Sequence, residues 1–194
     1  LSDEGGQLIN STQVQDVELY GEGAVVGDVN GDALADLVVF DSEGAYVHIN
    51  DLQYEDLTTI YADSAVRGAS FIDLNNDGQE EIILAPSQDN ILDSDLKPLL
   101  LDNVDGQWVA SQIDVKSGAW HSVVVDDWNQ DGVLDALISH ATSVPVLWVS
   151  QSCSAAHWLK INVPIGTSVT VTTATKTLTR WSTNESGVAA TKES

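Results

Sequence analysis

Methionine is absent from the 194 residues and cysteine occurs once, at Cys153. A single thiol excludes an intramolecular disulfide, and Ser152-Cys153-Ser154 lacks the surroundings of a nucleophile motif. Basic residues are scarce, 7 Lys+Arg against 30 Asp+Glu, for a formal charge of −23. Such a field repels nucleic acid and anionic lipid, so neither nucleic-acid binding nor membrane insertion is expected. No apolar run approaches the roughly 18 residues of a membrane span. The histidines His48, His121, His140 and His157 are scattered, with no zinc spacing among them.

Hydrophobic residues nonetheless make up 43% of the chain, which sets it apart from a disordered acidic tail and allows a real core. Excess carboxylate destabilises a compact state by self-repulsion unless cations neutralise it. A chain that opens at Leu1 without methionine is expected to be processed and exported, hence extracellular or at the cell surface, although a trimmed chain would look the same. In that setting the sequons at Asn10 and Asn184 can accept N-glycans.

Self-comparison shows three aligned segments: Asp28-Val-Asn-Gly-Asp-Ala-Leu-Ala-Asp36, Asp73-Leu-Asn-Asn-Asp-Gly-Gln-Glu-Glu81 and Asp127-Trp-Asn-Gln-Asp-Gly-Val-Leu-Asp135. All read D-x-N-x-D-x-x-x-[DE], and their starts lie 45 (73 − 28) and 54 (127 − 73) residues apart, a period suited to about four strands. Short β-branched runs flank each loop: Ala24–Val26 and Leu37–Phe40, Ser70–Ile72 and Ile82–Leu84, Val123–Val125 and Ala136–Ile138. Bounded by turn residues, these read as buried strands. Further strands are expected at Ala45–Ile49, Leu57–Tyr61, Pro98–Leu101, Trp108–Ile113 and Val144–Val149. No segment carries a 3.6-residue apolar period, so helix should be scarce.

Calcium takes six to eight hard oxygen ligands and tolerates irregular geometry. In a tightly curled loop the side chains at positions 1, 3 and 5 converge, and a carbonyl at 7 and a carboxylate at 9 can close the sphere. The expected ligands are Asp28, Asn30, Asp32, Leu34 and Asp36; Asp73, Asn75, Asp77, Gln79 and Glu81; and Asp127, Asn129, Asp131, Val133 and Asp135. Leu34, Gln79 and Val133 would contribute only their carbonyls. Gly78 and Gly132 at position 6 permit a sharp turn, whereas Ala33 leaves the first loop to strain slightly or to lean on Gly31. An EF-hand would need a bidentate Glu at position 12, where Val39, Leu84 and Ile138 stand instead. Asp, Asn and Gly also favour plain turns, but three copies holding nine carboxylates in register argue for about three Ca²⁺, which would take the charge from −23 to −17.

The flanked loop Gly27-Asp28-Val-Asn-Gly-Asp-Ala-Leu-Ala-Asp-Leu37 resembles the FG-GAP/VCBS repeats of β-propellers, a family that includes the integrin α-subunit head. The resemblance covers roughly Gly21 to Gln151. It implies a metal held in a hairpin between adjacent strands of a blade, with a structural role. Ala33 and the excursion Ser87–Lys97 depart from the pattern. The tail, with Trp158-Leu-Lys-Ile-Asn-Val163, Ile165-Gly-Thr-Ser-Val-Thr-Val171 and Thr177-Leu-Thr-Arg180, resembles a shortened ASPIC/UnbV module. Leu159, Ile161, Val163 and Ile165 alternate like one face of a strand, and the Thr-rich stretch Thr167–Thr179 has high β-propensity and could carry O-linked sugar.

The expected architecture is therefore all-β: about three propeller-blade-like antiparallel units with calcium-binding hairpin loops over residues 1–152, then a β segment over 153–194. Propellers close with four to eight blades. Three leave strand edges that neighbouring chains could complete, for instance through Val14–Leu19 and Trp158–Trp181. With no catalytic motif, the expected role is a non-enzymatic extracellular structural subunit that self-associates into a filament, matrix or surface layer. The alternative is an adhesion module, part of a larger protein, that recognises glycans or proteins. Six Trp (108, 120, 128, 148, 158 and 181) offer stacking surfaces, though most lie in strand runs where core packing is the plainer role, and Trp128 inside a loop is expected to face out or cover the site.

Overall fold

A computed structural model describes residues 21–32, 34–49, 58–75, 77–88, 95–151, 161–172, 174 and 177–182. The sequons, Val14–Leu19, Ala33, Cys153, His157 and Trp158 lie outside the described residues.

Every described element is a strand. The first sheet is a meander of β1 (Gly23–Gly27), β2 (Asp36–Phe40), β3 (Ala45–His48) and β4 (Thr58–Tyr61). The second repeats it with β5 (Ala65–Ile72), β6 (Glu81–Ser87), β7 (Leu99–Val104) and β8 (Gln107–Gln112). The third has β9 (Trp120–Asp126), β10 (Asp135–His140) and β11 (Val146–Trp148), and a separate hairpin pairs β12 (Ser168–Thr172) with β13 (Thr177–Trp181). All pairings are antiparallel, and the sheets do not close into a ring among the described residues. Most expected strands appear with ends shifted by a residue or two, as fraying ends do; the β5, β6, β7 and β9 runs are longer than expected.

Each acidic segment connects the first two strands of its sheet, in the order strand, loop, strand. Residues numbered onward from a loop's first Asp keep the same packing role in each sheet. Val38 and Phe40, at positions 11 and 13 of the first unit, share a core with Ile82 and Leu84, at positions 10 and 12 of the second. Ile83 and Ala85, at positions 11 and 13 of the second unit, meet Ala136 and Ile138, at positions 10 and 12 of the third. Side chains alternate across a strand. At both junctions, then, odd positions of one sheet meet even positions of the next. The central β6 is buried along its whole length because both of its faces are covered, which explains why Ile82-Ile83-Leu84 is a continuous apolar run.

The sheets approach closely where glycine allows it. A Cβ on Gly27 of β1 would fall 2.3 Å from the Phe71 ring of β5, and one on Gly68 of β5 would fall 2.6 Å from Ser122 Cα of β9. Backbone bonds also cross: Val66 N–H donates to the Asp41 carbonyl at 2.8 Å. Trp120 is fully buried in the second core, donates its indole N–H to the Leu96 carbonyl at 3.2 Å, and sets its ring edge-on to His140. Trp108 and Trp148 pack at the margins of the two cores, so these strand tryptophans are structural.

The expected strand through Leu159, Ile161, Val163 and Ile165 is not formed at its described residues, 161–165. Alternation shows compatibility with a pleat, but a strand also needs a ladder partner, and Pro164 has no N–H to give. The chain instead turns: Thr167 N–H donates to the Pro164 carbonyl at 3.2 Å, and Gly166 takes φ +82°. Only then does β12 begin.

Candidate metal centres

The three loops share one hydrogen-bond scheme. The N–H of position 5 is received by the side-chain oxygens of both positions 1 and 3. In the second loop, Asp77 N–H lies 3.1 Å from Asp73 Oδ1 and 2.8 Å from Asn75 Oδ1. In the third, Asp131 N–H lies 3.0 Å from Asp127 Oδ1 and 2.9 Å from Asn129 Oδ1. In the first, Asp32 N–H lies 3.2 Å from Asp28 Oδ1 and 3.1 Å from Asn30 Oδ1. Two oxygens aimed at one N–H must lie side by side, so positions 1 and 3 do converge.

Position 5 then turns its own carboxylate onto the N–H of position 7: Leu34, Gln79 and Val133 donate to Asp32, Asp77 and Asp131 at 2.8, 2.8 and 2.9 Å. Position 9 reaches back across the loop to the N–H of position 2. Val29 donates to Asp36, Leu74 to Glu81 and Trp128 to Asp135, at 2.8, 2.8 and 3.0 Å. These local bonds explain the loop composition, since Asp and Asn bond backbone two to four residues away and hold a curl without a ladder.

Glycine enters differently in each copy. Gly78 and Gly132, at position 6, take φ +86° and +87° and donate to Asp73 and Asp127. In the first loop the left-handed residue is Gly31 at position 4, φ +72°, whose N–H meets Asp28 at 2.7 Å. Of the two alternatives expected for this loop, Gly31 takes the left-handed turn, and Ala33 lies outside the described residues. The third loop also puts Gln130 in the left-handed region, at φ +61°.

Burial divides the ligand set. Positions 1 and 9 (Asp28 and Asp36, Asp73 and Glu81, Asp127 and Asp135) are all buried, whereas positions 3 and 5 are exposed. In the third loop Asp127 is 5% exposed and Asp135 is 0%. Asp127 is met by the N–H groups of Asp131 and Gly132, and Asp135 by those of Trp128 and Ser150. The described ion pairs, Arg67 with Glu22 and Lys97 with Asp114, lie away from this loop. Two buried carboxylates that meet only neutral donors among the described residues are costly. In the second loop the cost shows as a shifted acid. Burial pushes the Glu81 carboxyl up to about 7; the Leu74 N–H pulls it down, and Asp73 and Asp77 push it further up.

Among the described residues no three His, Cys, Asp or Glu side chains form a ready-made cage. A complete sphere would have to include the Asn oxygens and the carbonyls of position 7. The donor set fits calcium: hard oxygens, with two buried carboxylates and one exposed in each loop. Asp28, Asn30, Asp32 and Asp36, with their counterparts in the other loops, would hold the ion. In the third loop it would set a positive charge beside Asp127 and Asp135, whose partners among the described residues are backbone N–H groups.

Sequence reasoning missed Glu80. Its carboxylate accepts Asp28 N–H at 2.8 Å, joining the second loop to the first. Nothing in the repeat pattern marks it, because position 8 is Ala35 in the first copy and Leu134 in the third.

No curated protein matches the chain. A protein-family model described as FG-GAP-like repeat matches residues 28–84, from the first residue of the first loop through Leu84 in β6. That span holds two consecutive loops with the strands between them, so residues 28–84 are similar to the FG-GAP-like repeat, a β-propeller-type module.

Proposed function

We propose that this chain is a non-enzymatic, extracellular calcium-binding structural protein whose loops each hold one Ca²⁺ to stiffen a sheet, and that it serves as a self-assembling subunit of a filament, matrix or surface layer. The observation that carries the metal is the pair Asp127 and Asp135, buried and, among the described residues, met by N–H donors alone. The composition supports it: 30 acids cannot be neutralised by 7 basic residues. The FG-GAP-like match over residues 28–84 supports the module type. The VCBS character of the repeats, the ASPIC/UnbV character of the tail, export and glycans at Asn10 and Asn184 belong to the same proposal, carried by the sequence features quoted for each.

Isothermal titration calorimetry on decalcified protein tests it, with an expected stoichiometry of about three ions and affinity on the order of 10⁻⁴–10⁻³ M, as in extracellular modules. No heat from calcium under conditions where the fold persists would refute it.

A second reading is ligand binding. A groove of about 610 Å³ runs between β4 and the second sheet, lined among others by Tyr61, Asp63, Asp95 and Lys97. An aromatic ring beside charged groups suits a glycan or a polar peptide.

A further inference from the structure

Each loop opens on the backbone N–H of its first Asp, and the first and third copies take the acceptor for it from different places. In the third loop, Asp127 N–H donates to its own neighbour, Asp126 Oδ1, at 2.8 Å. The first loop has Gly27 at the matching position, where no side chain fits: a Cβ would fall 2.3 Å from the Phe71 ring of β5. Asp28 N–H is instead received by Glu80 of the second loop, also at 2.8 Å. The next amide, Val29 N–H, returns to the first loop's own Asp36. The close approach of the second unit thus removes a local acceptor from the first loop and brings another loop's carboxylate in its place.

Glu80 stands in the chain between two groups that would hold the second loop's ion, the Gln79 carbonyl and the Glu81 carboxylate. Glu81 also accepts Leu74 N–H and the Asn75 amide, at 2.8 and 3.0 Å. An ion that draws residues 79 and 81 to one centre fixes the backbone of residue 80, and with it the direction its side chain takes. Glu80 in turn fixes the peptide of Asp28, whose carboxylate is position 1 of the first loop and accepts Gly31 and Asp32 N–H. Position 8 of the other copies offers no such link: Ala35 is exposed and Leu134 lies in an apolar core.

We propose that Glu80 is a positioning residue that couples the first two loops, so that an ion in the second raises the affinity of the first and, by linkage, the reverse. The coupling rests on the calcium reading above and concerns how its sites fill. Repulsion between two cations opposes it. Positions 3 and 5 of both loops are exposed, however, and salt screens such charges over about 8 Å at about 0.15 M ionic strength, whereas the hydrogen bond is local. The third loop, whose entry amide is held by Asp126, lies outside the pair.

Equilibrium dialysis against labelled calcium at that ionic strength tests the coupling, in an Asp131→Ala background that silences the third loop. Adding Asp77→Ala leaves the first loop alone, and adding Asp32→Ala leaves the second. Both side chains are exposed, so both variants should fold; Asn75→Ala or Asn30→Ala serves if one does not. Binding to the two loops together should exceed the product of the single-loop affinities by about five-fold or more. Glu80→Ala should bring that factor down to about one, and Glu80→Gln, which keeps an oxygen for Asp28 N–H, should restore most of it. Hydrogen exchange gives a second readout. With the first loop emptied by Asp32→Ala, calcium should still slow exchange of the Asp28 amide, and Glu80→Ala should abolish the slowing. Loops that fill independently, a factor that Glu80→Ala leaves unchanged, or an Asp28 amide indifferent to calcium would each overturn the coupling. Independent filling removes the coupling and leaves the calcium reading standing, whereas a wild type that binds no calcium removes both.

Discussion

The Glu80 carboxylate receives the backbone N–H of Asp28 at 2.8 Å, so a residue of the second loop closes the entry of the first, 52 positions earlier in the chain. No repeat of this bond joins the next pair, because the third loop has Leu134 at that position, buried in the core beside Leu74. One junction is tied by a charged acceptor, the other by apolar contact.

Glu80→Ala should therefore weaken the first junction. A hydrogen bond to a charged group contributes about 1.5–3 kcal/mol, and the deserted Asp28 N–H adds its own desolvation cost. At about 2–4 °C per kcal/mol for a chain of this size, thermal unfolding should shift down by several degrees. An unchanged melting curve would show the bond to be incidental.

Calcium should raise the melting temperature. Millimolar calcium is about 1–10 times the expected dissociation constant and stabilises a site by about 0.4–1.4 kcal/mol, so each occupied loop should add roughly 1–6 °C. Differential scanning calorimetry in millimolar calcium and in excess chelator measures this directly. Coincident transitions would mean that the buried carboxylates are tolerated without an ion.

Asp131→Ala should remove one ion from the titration. Asp131 is exposed, so the loss should fall on binding rather than on the core. Asp105→Gly is the matched control: Asp105 and Gly106 form the β7–β8 turn with φ +52° and +81°, a two-residue hairpin in which glycine is at ease. Calorimetry should count about two ions in the first variant and three in the second; equal counts would show that the third loop is an ordinary turn.

Gly68→Val should force the second and third sheets apart. Its first side-chain atom would sit 2.6 Å from Ser122 Cα and 2.8 Å from the His121 carbonyl, both backbone atoms that cannot swing away. Overpacking of this kind costs about 1–3 kcal/mol. Near-UV circular dichroism should change as well, since Trp120 is buried in the core between those sheets. A native spectrum with native stability would contradict the close approach.

The loops and strands were legible in the sequence because the interactions that make them are local. Asp73, Asn75 and Asp77 bond to N–H groups two to five residues away, and that curl is written in D-x-N-x-D. The β-branched runs beside each loop have no alternative to a pleat. Only the tertiary structure decided what lies between the units. It buried position 2 at Val29 and left it open at Trp128, and it tied Asp28 to Glu80. It also denied residues 161–165 the strand their alternation suggested. Each outcome depends on whether a second surface arrives within van der Waals or hydrogen-bond reach, and a residue's own neighbours in the chain carry no record of that.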